Sequence, residues 1–216
     1  MQRSIIITDD GSSSLFVPEL GEHYHSHFGA VQESQHIFID AALAQIKKDE
    51  ISVLEFGFGT GLNALMTYRY AQQFGKIINY VGLEKYPITE KESSLLNYAS
   101  REEALFFQRM HLSVWNQKSE IMENFSLLKQ EIDFRNFKQS NQLFDVVYFD
   151  AFAPDIQPHL WSLSIFQEIY NSMSIGGILT TYTVKGDVRR ALKAAGFSVE
   201  KIAGPIGKRE ITRAIK

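Results

Sequence analysis

Three glycines at alternate positions, Gly57, Gly59 and Gly61, follow the apolar run Ile51–Phe56 and precede Leu62–Phe74, which reads as a helix. Without side chains the backbone there can turn tightly and approach a ligand closely. Such a turn can also be purely structural, so its surroundings decide its chemistry. The dinucleotide fingerprint spaces its glycines as Gly-x-Gly-x-x-Gly and brings a pyrophosphate to a helix N-terminus. Here the spacing is Gly-x-Gly-x-Gly, and Glu55 stands two residues ahead of the first glycine. A carboxylate would repel a pyrophosphate but can accept, directly or through water, from the ammonium of an amino-acid moiety. S-adenosylmethionine carries that ammonium and a sulfonium, so the context favours it over NAD.

Glu84 closes the next strand-like run, Ile77–Leu83, 23 residues beyond Gly61. A carboxylate at that spacing can take both ribose hydroxyls; it can also simply cap the helix ahead of Pro87. Asp133 follows a weaker strand pattern, Ser126–Ile132, and could accept from an adenine amino group. Asp150 opens the loop Asp150-Ala151-Phe152-Ala153-Pro154-Asp155 after the apolar run Phe144–Phe149. A carboxylate where a transferable methyl would project can hold or deprotonate an attacking amine, and Phe152 could flank a planar base. The alternative is that Asp150 caps the helix that follows.

The elements that must position these groups alternate. After a helix at Pro87–Tyr98 and another at Glu102–Met110 come the strands Ser126–Ile132 and Phe144–Phe149. The helix Leu160–Met173, the strand Gly177–Thr183, the helix Gly186–Ala195 and a closing strand pair, Phe197–Ile202 and Ile206–Ile215, complete the series. Continuous rather than alternating apolar strands imply a parallel sheet covered on both faces, with ligands at the carboxyl ends of its strands. Residues 1–50 read as an extension: the strands Ser4–Thr8 and Leu15–Val17 around the turn Asp9-Asp10-Gly11-Ser12, then a helix from Phe28 to Ala44. Residues 51–216 form the main domain.

The 216 residues suit one such domain. No apolar run approaches the ~18 residues of a membrane span, and no basic and apolar leader opens the chain. The chain has no cysteine, which excludes disulfides and thiolate ligands and fits a cytoplasmic protein. The net charge of −3 hides an asymmetry: residues 185–216 carry +6 and the remainder −9. Such a basic edge suits a phosphate-bearing partner; the alternative is a solvated basic surface. His23, His25 and His27 alternate and could share one face of a strand, but no carboxylate at convincing spacing completes a metal site. Trp115 and the pair Phe106-Phe107 read as core rather than stacking platforms.

Together, Glu55–Leu65, the Phe149–Pro154 loop, Trp161, Gly176-Gly177, Val188-Arg189-Arg190, Ala195-Gly196-Phe197 and Gly207-Lys208-Arg209-Glu210 resemble the methyltransferase domain of the MnmC family. Tyr24-His25-Ser26, Gly29-Ala30 and Glu33-Ser34 extend the resemblance through nearly the whole chain. It implies a class I S-adenosylmethionine-dependent methyltransferase fold, Rossmann-like α/β, with a mostly parallel seven-stranded sheet, helices on both faces and residues 1–50 as a small cap. It implies S-adenosyl-L-methionine as cofactor, with Glu55, Gly57, Gly59, Gly61, Asn63, Glu84 and Asp133 lining its site and no metal. Asp150 would face the substrate amine, with Tyr24, Ser26, Phe152, Lys208 and Arg209 on the substrate side. The implied reaction is N-methylation of 5-aminomethyl(-2-thio)uridine at the tRNA wobble position, in the anticodon loop. With no second glycine fingerprint for an FAD oxidase domain, the expectation is a stand-alone methyltransferase whose substrate comes from upstream wobble-uridine-modifying enzymes. The alternatives are a methyltransferase of the same fold acting on a small-molecule or protein amine, and a non-catalytic cofactor-binding partner of a tRNA-modifying complex.

Overall fold

A computed structural model describes residues 2–139 and 142–216. The N-terminal extension opens with β1 (Ser4–Ile7), β2 (Ser13–Val17) and β3 (Glu22–His23), an antiparallel sheet in the order β1-β2-β3. The Asp10 carboxylate fixes the first turn, accepting from Thr8 Oγ1 at 2.7 Å and Ser12 N at 3.0 Å, the usual work of an aspartate in a tight turn. The expected helix from Phe28 to Ala44 is broken into three. Helix α1 (Ala30–Ser34) runs into a π-helical turn at Gln35–Asp40, and a 3-10 turn follows at Leu43–Gln45. Ile37, Phe38 and Ile39 are buried in succession, which the wider π turn permits and a regular helix with a single buried stripe does not.

The main sheet follows. Its strands are β4 (Glu50–Phe56), β5 (Ile77–Glu84), β6 (Lys118–Met122), β7 (Phe125–Glu131), β8 (Phe144–Phe149), β9 (Met173–Thr181), β10 (Ser198–Ala203) and β11 (Glu210–Ile215). Their order is β10-β11-β9-β8-β4-β5-β7-β6. From β9 to β7 every pairing is parallel, while β11 runs antiparallel to β9 and β6 antiparallel to β7. The sheet thus has eight strands rather than seven. The extra one, β6, is an edge strand of sequence Lys-Ser-Glu-Ile-Met in which only Ile121 is buried, and so mixed a segment carries no strand signal.

Helices α2 (Leu62–Phe74), α3 (Glu90–Ser93), α4 (Ala104–Leu112), α5 (Leu163–Asn171) and α6 (Gly186–Ala195) complete the fold. The expected helix Pro87–Tyr98 contracts to α3, a single turn fixed by a Thr89–Glu92 capping box. On one face of the sheet α2 and the π turn cover Val53, Tyr80, Phe125, Val146 and Tyr148; on the other lie Leu54, Phe56, Phe149, Phe166 and Leu179. Every residue of β8 is buried, as a central parallel strand requires. Among the described residues no helix is long and apolar enough to cross a membrane.

Phe125 is buried against Phe106 (4.9 Å between centroids), Tyr80 (5.7 Å) and Tyr68 (6.1 Å). Truncating it to alanine opens a cavity that this interlocked ring cluster cannot close. The expected loss is about 3–5 kcal/mol of unfolding free energy, read as a lower urea midpoint at unchanged slope.

Candidate functional site

Between β4 and β8 the strand order reverses: the chain moves from β4 outward to β5 and β7, then returns to place β8 on the other side of β4. Connections on opposite faces leave a crevice at such a switch point. Here it is a cavity of about 490 Å³ beyond the carboxyl ends of the strands. Asp150 N donates to Phe56 O at 2.8 Å, carrying the β4–β8 pairing one step past the strands. The glycine turn and the Asp150 loop are therefore in backbone contact.

Gly57 has φ +99°, and a Cβ there would stand 2.4 Å from Asp150 O. A side chain is excluded by conformation and by space alike. Gly59 has φ +48°, with the Tyr24 ring 3.0 Å from where its Cβ would be. Both glycines line the cavity, as do Asn63, Glu84 and Asp133. Gly61 lies outside the lining, where it starts α2 in the left-handed conformation against Met110. Glu84 accepts from Gly59 N at 3.1 Å and from Tyr86 N at 2.8 Å. One hydrogen bond on each oxygen leaves further lone pairs open to the cavity, and burial pushes its pKa upward.

Asp133 is differently placed. Arg135 N (3.0 Å) and Nε (2.9 Å) donate to Oδ1, and Arg135 Nη2 (2.6 Å) and Lys85 Nζ (2.8 Å) to Oδ2. Hydrogen bonding to Arg135 first, and to Lys85 as well, holds its carboxyl far below the usual range. Four donors occupy the four lone-pair positions of a carboxylate, so none is left for an adenine amino group in this arrangement.

Glu55 lies one layer beneath the lining, fully buried. Tyr80 Oη donates to its Oε2 at 2.8 Å, and Asn63 Nδ2 to its Oε1 at 2.8 Å. The second Asn63 amide hydrogen goes to Asp150 Oδ2 at 2.9 Å, while Asn63 Oδ1 accepts from Ser34 Oγ. One buried amide therefore joins β4, β8, α1 and α2. Burial pushes Glu55 up to about 8. Asp150 is pushed up to about 7, by burial first and then by the charge of Glu33, against hydrogen bonding from Asn63 and the charge of Lys208. A carboxyl near 7 exchanges protons readily at neutral pH.

Two side chains hold the loop that presents Asp150: Trp161 Nε1 donates to Phe152 O at 2.9 Å and Tyr182 Oη to Ala151 O at 2.9 Å. Phe152 meets Tyr24 edge to face at 5.3 Å, and both face the cavity. Arg3 Nε donates to Tyr24 Oη at 2.9 Å, and the same guanidinium pairs with Glu92 at 3.3 Å, tying the N-terminal sheet to α3. Ser26 lines the cavity too, its N–H donating to Glu33 Oε2 at 2.9 Å. Lys208 reaches into the cavity and pairs with Glu33, whereas Arg209 is exposed outside it.

Other basic side chains of the C-terminal stretch also meet acids: Lys185 with Asp155, Arg190 with Asp187, Lys201 with Glu210 and Arg213 with Glu200. The three histidines part company. His23 meets His27 edge to face at 4.1 Å, while His25 is half-buried between Ser14 and Thr60. Among the described residues no group of three His, Cys, Asp or Glu side chains is placed to hold a metal. Trp115 packs on Phe58 and under the Lys129 ammonium, away from the cavity. Sequence reasoning gave no role to Glu33, Tyr80 or Tyr182. Each meets its partner across the tertiary fold, and no spacing along the chain marks such contacts.

A family described as S-adenosyl-L-methionine-dependent methyltransferase matches residues 103–216. A Nitrosospira multiformis protein named tRNA 5-methylaminomethyl-2-thiouridine biosynthesis bifunctional protein MnmC is 31% identical over 93% of this chain and 35% of its own length. The protein of the same name from Aromatoleum aromaticum is 29% identical over 97% of this chain and 34% of its own. The chain thus spans about a third of the length of these relatives. Among solved structures, MNMC2 from Aquifex aeolicus superposes with a TM-score of 0.83 at 27% identity, covering 99% of this chain and 70% of that one. Spermidine synthase from Thermotoga maritima gives 0.59 at 13% identity, covering 100% of this chain and 72% of that one, a likeness of fold alone.

The Glu55 proton has a consequence for stability. Its carboxyl titrates at about 8 in the fold against the usual 4.5. Between those values the native state holds a proton that the unfolded chain has released, so stability falls as pH rises. Glu55→Gln cannot lose that proton. Its unfolding free energy relative to wild type should therefore rise steadily from pH 5 to pH 8 in paired urea titrations. A difference that stays flat over that range would show that Glu55 is ionised in the native state.

Proposed function

We propose that this chain, which belongs to the S-adenosyl-L-methionine-dependent methyltransferase family, methylates the amine of 5-aminomethyl(-2-thio)uridine at the wobble position of tRNA. The family and the fold make it a methyltransferase that uses S-adenosyl-L-methionine. The wobble nucleoside is our reading, supported by the product named for the MnmC relatives and by the chemistry of the cavity. A single observation carries it. Asp150, a carboxyl titrating near neutrality, stands at the end of β8 in backbone contact with the glycine turn. An alkylammonium must lose a proton before its nitrogen can attack a methyl group, and a carboxylate with a pKa of about 7 is suited to receive it.

The cavity fits the cofactor on features of its own. Gly57 and Gly59 leave backbone bare where side chains would intrude, and Glu84 offers acceptor positions that ribose hydroxyls can use. When bound, S-adenosyl-L-methionine supplies a methyl group made electrophilic by its sulfonium. Asn63, held by Glu55 and Ser34, fixes the orientation of Asp150. Lys85 and Asp133 line one end of the cavity, which we assign to the adenine. Tyr24 and Phe152 flank the entrance where a flipped uracil would stack. Residues 1–50 act as a cap that excludes water from the amine. Arg209, exposed on the β10–β11 hairpin, is the side chain we assign to RNA phosphate.

Asp150→Asn keeps the hydrogen bond from Asn63 within reach but cannot take a proton. With aminomethyluridine-containing tRNA and labelled S-adenosyl-L-methionine, its kcat should drop about 10²–10⁴-fold, while cofactor affinity by calorimetry stays within about twofold. In wild type, kcat/KM should rise with pH through about 7, where Asp150 gives up its proton. Retention of full turnover in Asp150→Asn would remove Asp150 from the reaction.

Arg209→Ala tests the RNA side separately. Losing one phosphate contact should weaken tRNA binding and reduce the slope of log affinity against log salt by about 1. An unchanged slope would place the RNA elsewhere on the surface.

A further inference from the structure

Glu33 stands on α1 and lines the cavity, and nothing in the reaction outlined above uses it. One of its oxygens accepts from Ser26 N at 2.9 Å; the other is ion-paired with Lys208 Nζ. Lys208 comes from the far end of the chain, on the hairpin between β10 and β11, and its ammonium also lies over the Tyr182 ring, 5.2 Å from the centroid. Both side chains line the cavity that contains Asp150 and are largely screened from solvent, at 14% exposure for Glu33 and 29% for Lys208. The acids and bases acting on Asp150 come from four directions. Glu33 approaches from α1 and Lys208 from the hairpin, Glu55 and Tyr80 lie below in the sheet, and Tyr182 follows β9.

This arrangement has a specific chemical meaning. A lysine head group is a primary alkylammonium, the same group that an aminomethyl substrate presents. Lys208 sits on a flexible stem of four carbons, and its ammonium is ion-paired with Glu33. A partly buried carboxylate cannot be left unpaired without a large penalty, but one ammonium can replace another with little change in that penalty.

We infer that Glu33 is the ammonium-recognition residue of this site, holding the substrate's aminomethyl group beside Asp150 in exchange for the Lys208 side chain. This rests on the amine reading above. The proton balance is simple: the substrate ammonium gives one proton to the Asp150 carboxylate, leaving a neutral amine and a neutral carboxylic acid, with no electrons transferred. Lys208, released from Glu33, turns toward solvent beside Arg209. Glu33 thereby discriminates an aminomethyl group from a neutral substituent of similar size.

The experiment uses two anticodon stem-loops, one with 5-aminomethyluridine and one with 5-hydroxymethyluridine at the wobble position. Their binding to the full chain is measured by fluorescence anisotropy without cofactor. Wild type should prefer the aminomethyl stem-loop by roughly tenfold, the discrimination that one charge-assisted hydrogen bond provides. Glu33→Gln should reduce that preference to within about twofold and leave hydroxymethyl binding unchanged. Lys208→Met removes the competing ammonium and should raise the preference. The two variants should also displace the acidic limb of the kcat/KM profile in opposite directions. Glu33→Gln should move it to lower pH, because a charge that raises Asp150 is gone, and Lys208→Met to higher pH.

An intact preference in Glu33→Gln, or a lower one in Lys208→Met, overturns the inference. If wild type methylates the aminomethyl stem-loop while either result is found, the inference alone falls and the proposed reaction stands. If wild type neither methylates the aminomethyl stem-loop nor prefers it, the amine reading falls and takes this inference with it.

Discussion

Asn63 gives one amide hydrogen to Glu55 and the other to Asp150, and accepts from Ser34 through its carbonyl oxygen. Glu55 and Asp150 stand at the ends of neighbouring parallel strands, one buried and one half-buried, and without a donor between them the two carboxyls would repel. The amide removes the conflict at the cost of fixing its own rotamer. Burial then keeps a proton on Glu55 at neutral pH, so the pair carries one negative charge at most where two would be untenable. The same four side chains tie α1 and α2 to the sheet.

The site is otherwise organised by layers of restraint. Trp161 and Tyr182 hold backbone carbonyls of the Asp150 loop, while Glu84 holds backbone amides of the glycine turn and of Tyr86. These contacts pass through backbone groups, so loop geometry depends little on what the loop side chains are. The Asp150 carboxyl and the Tyr24 and Phe152 rings are therefore presented by a frame whose own hydrogen bonds are already made. Preorganisation of this kind lowers the cost of assembling a reacting geometry when a large substrate docks.

The N-terminal extension contributes more than cover. It supplies Tyr24 above Gly59, Ser26 beside Glu33, and Arg3 as its tie to α3. The C-terminal hairpin reaches the same cavity through Lys208. Both ends of the chain thus converge on a site whose centre is built in its middle, and the Glu33–Lys208 pair is where they meet. The basic surplus of the C-terminal stretch reads differently in this light. Much of it is neutralised locally by Asp155, Asp187, Glu200 and Glu210, while Arg209 stays exposed.

What lay within a short stretch of chain was legible without a structure. The glycine turn, the acid ending β5, the Asp150 loop and the continuous apolar strands each have their cause in neighbouring residues, and the fold class follows from their alternation. The closing β10–β11 pair and the β1–β2 hairpin were visible for the same reason. Tertiary structure alone decided the rest. It sank Glu55 below the cavity, because Asn63 and Tyr80 approach it from other elements. It filled Asp133 with Arg135 and Lys85, turned Lys208 inward while Arg209 stayed out, and added β6, whose single buried residue gives no periodicity. It also broke the first helix at a π turn, where three consecutive apolar residues had to face inward. Local propensity fixes where strands and turns begin; which carboxyl keeps its proton depends on the neighbours that folding supplies.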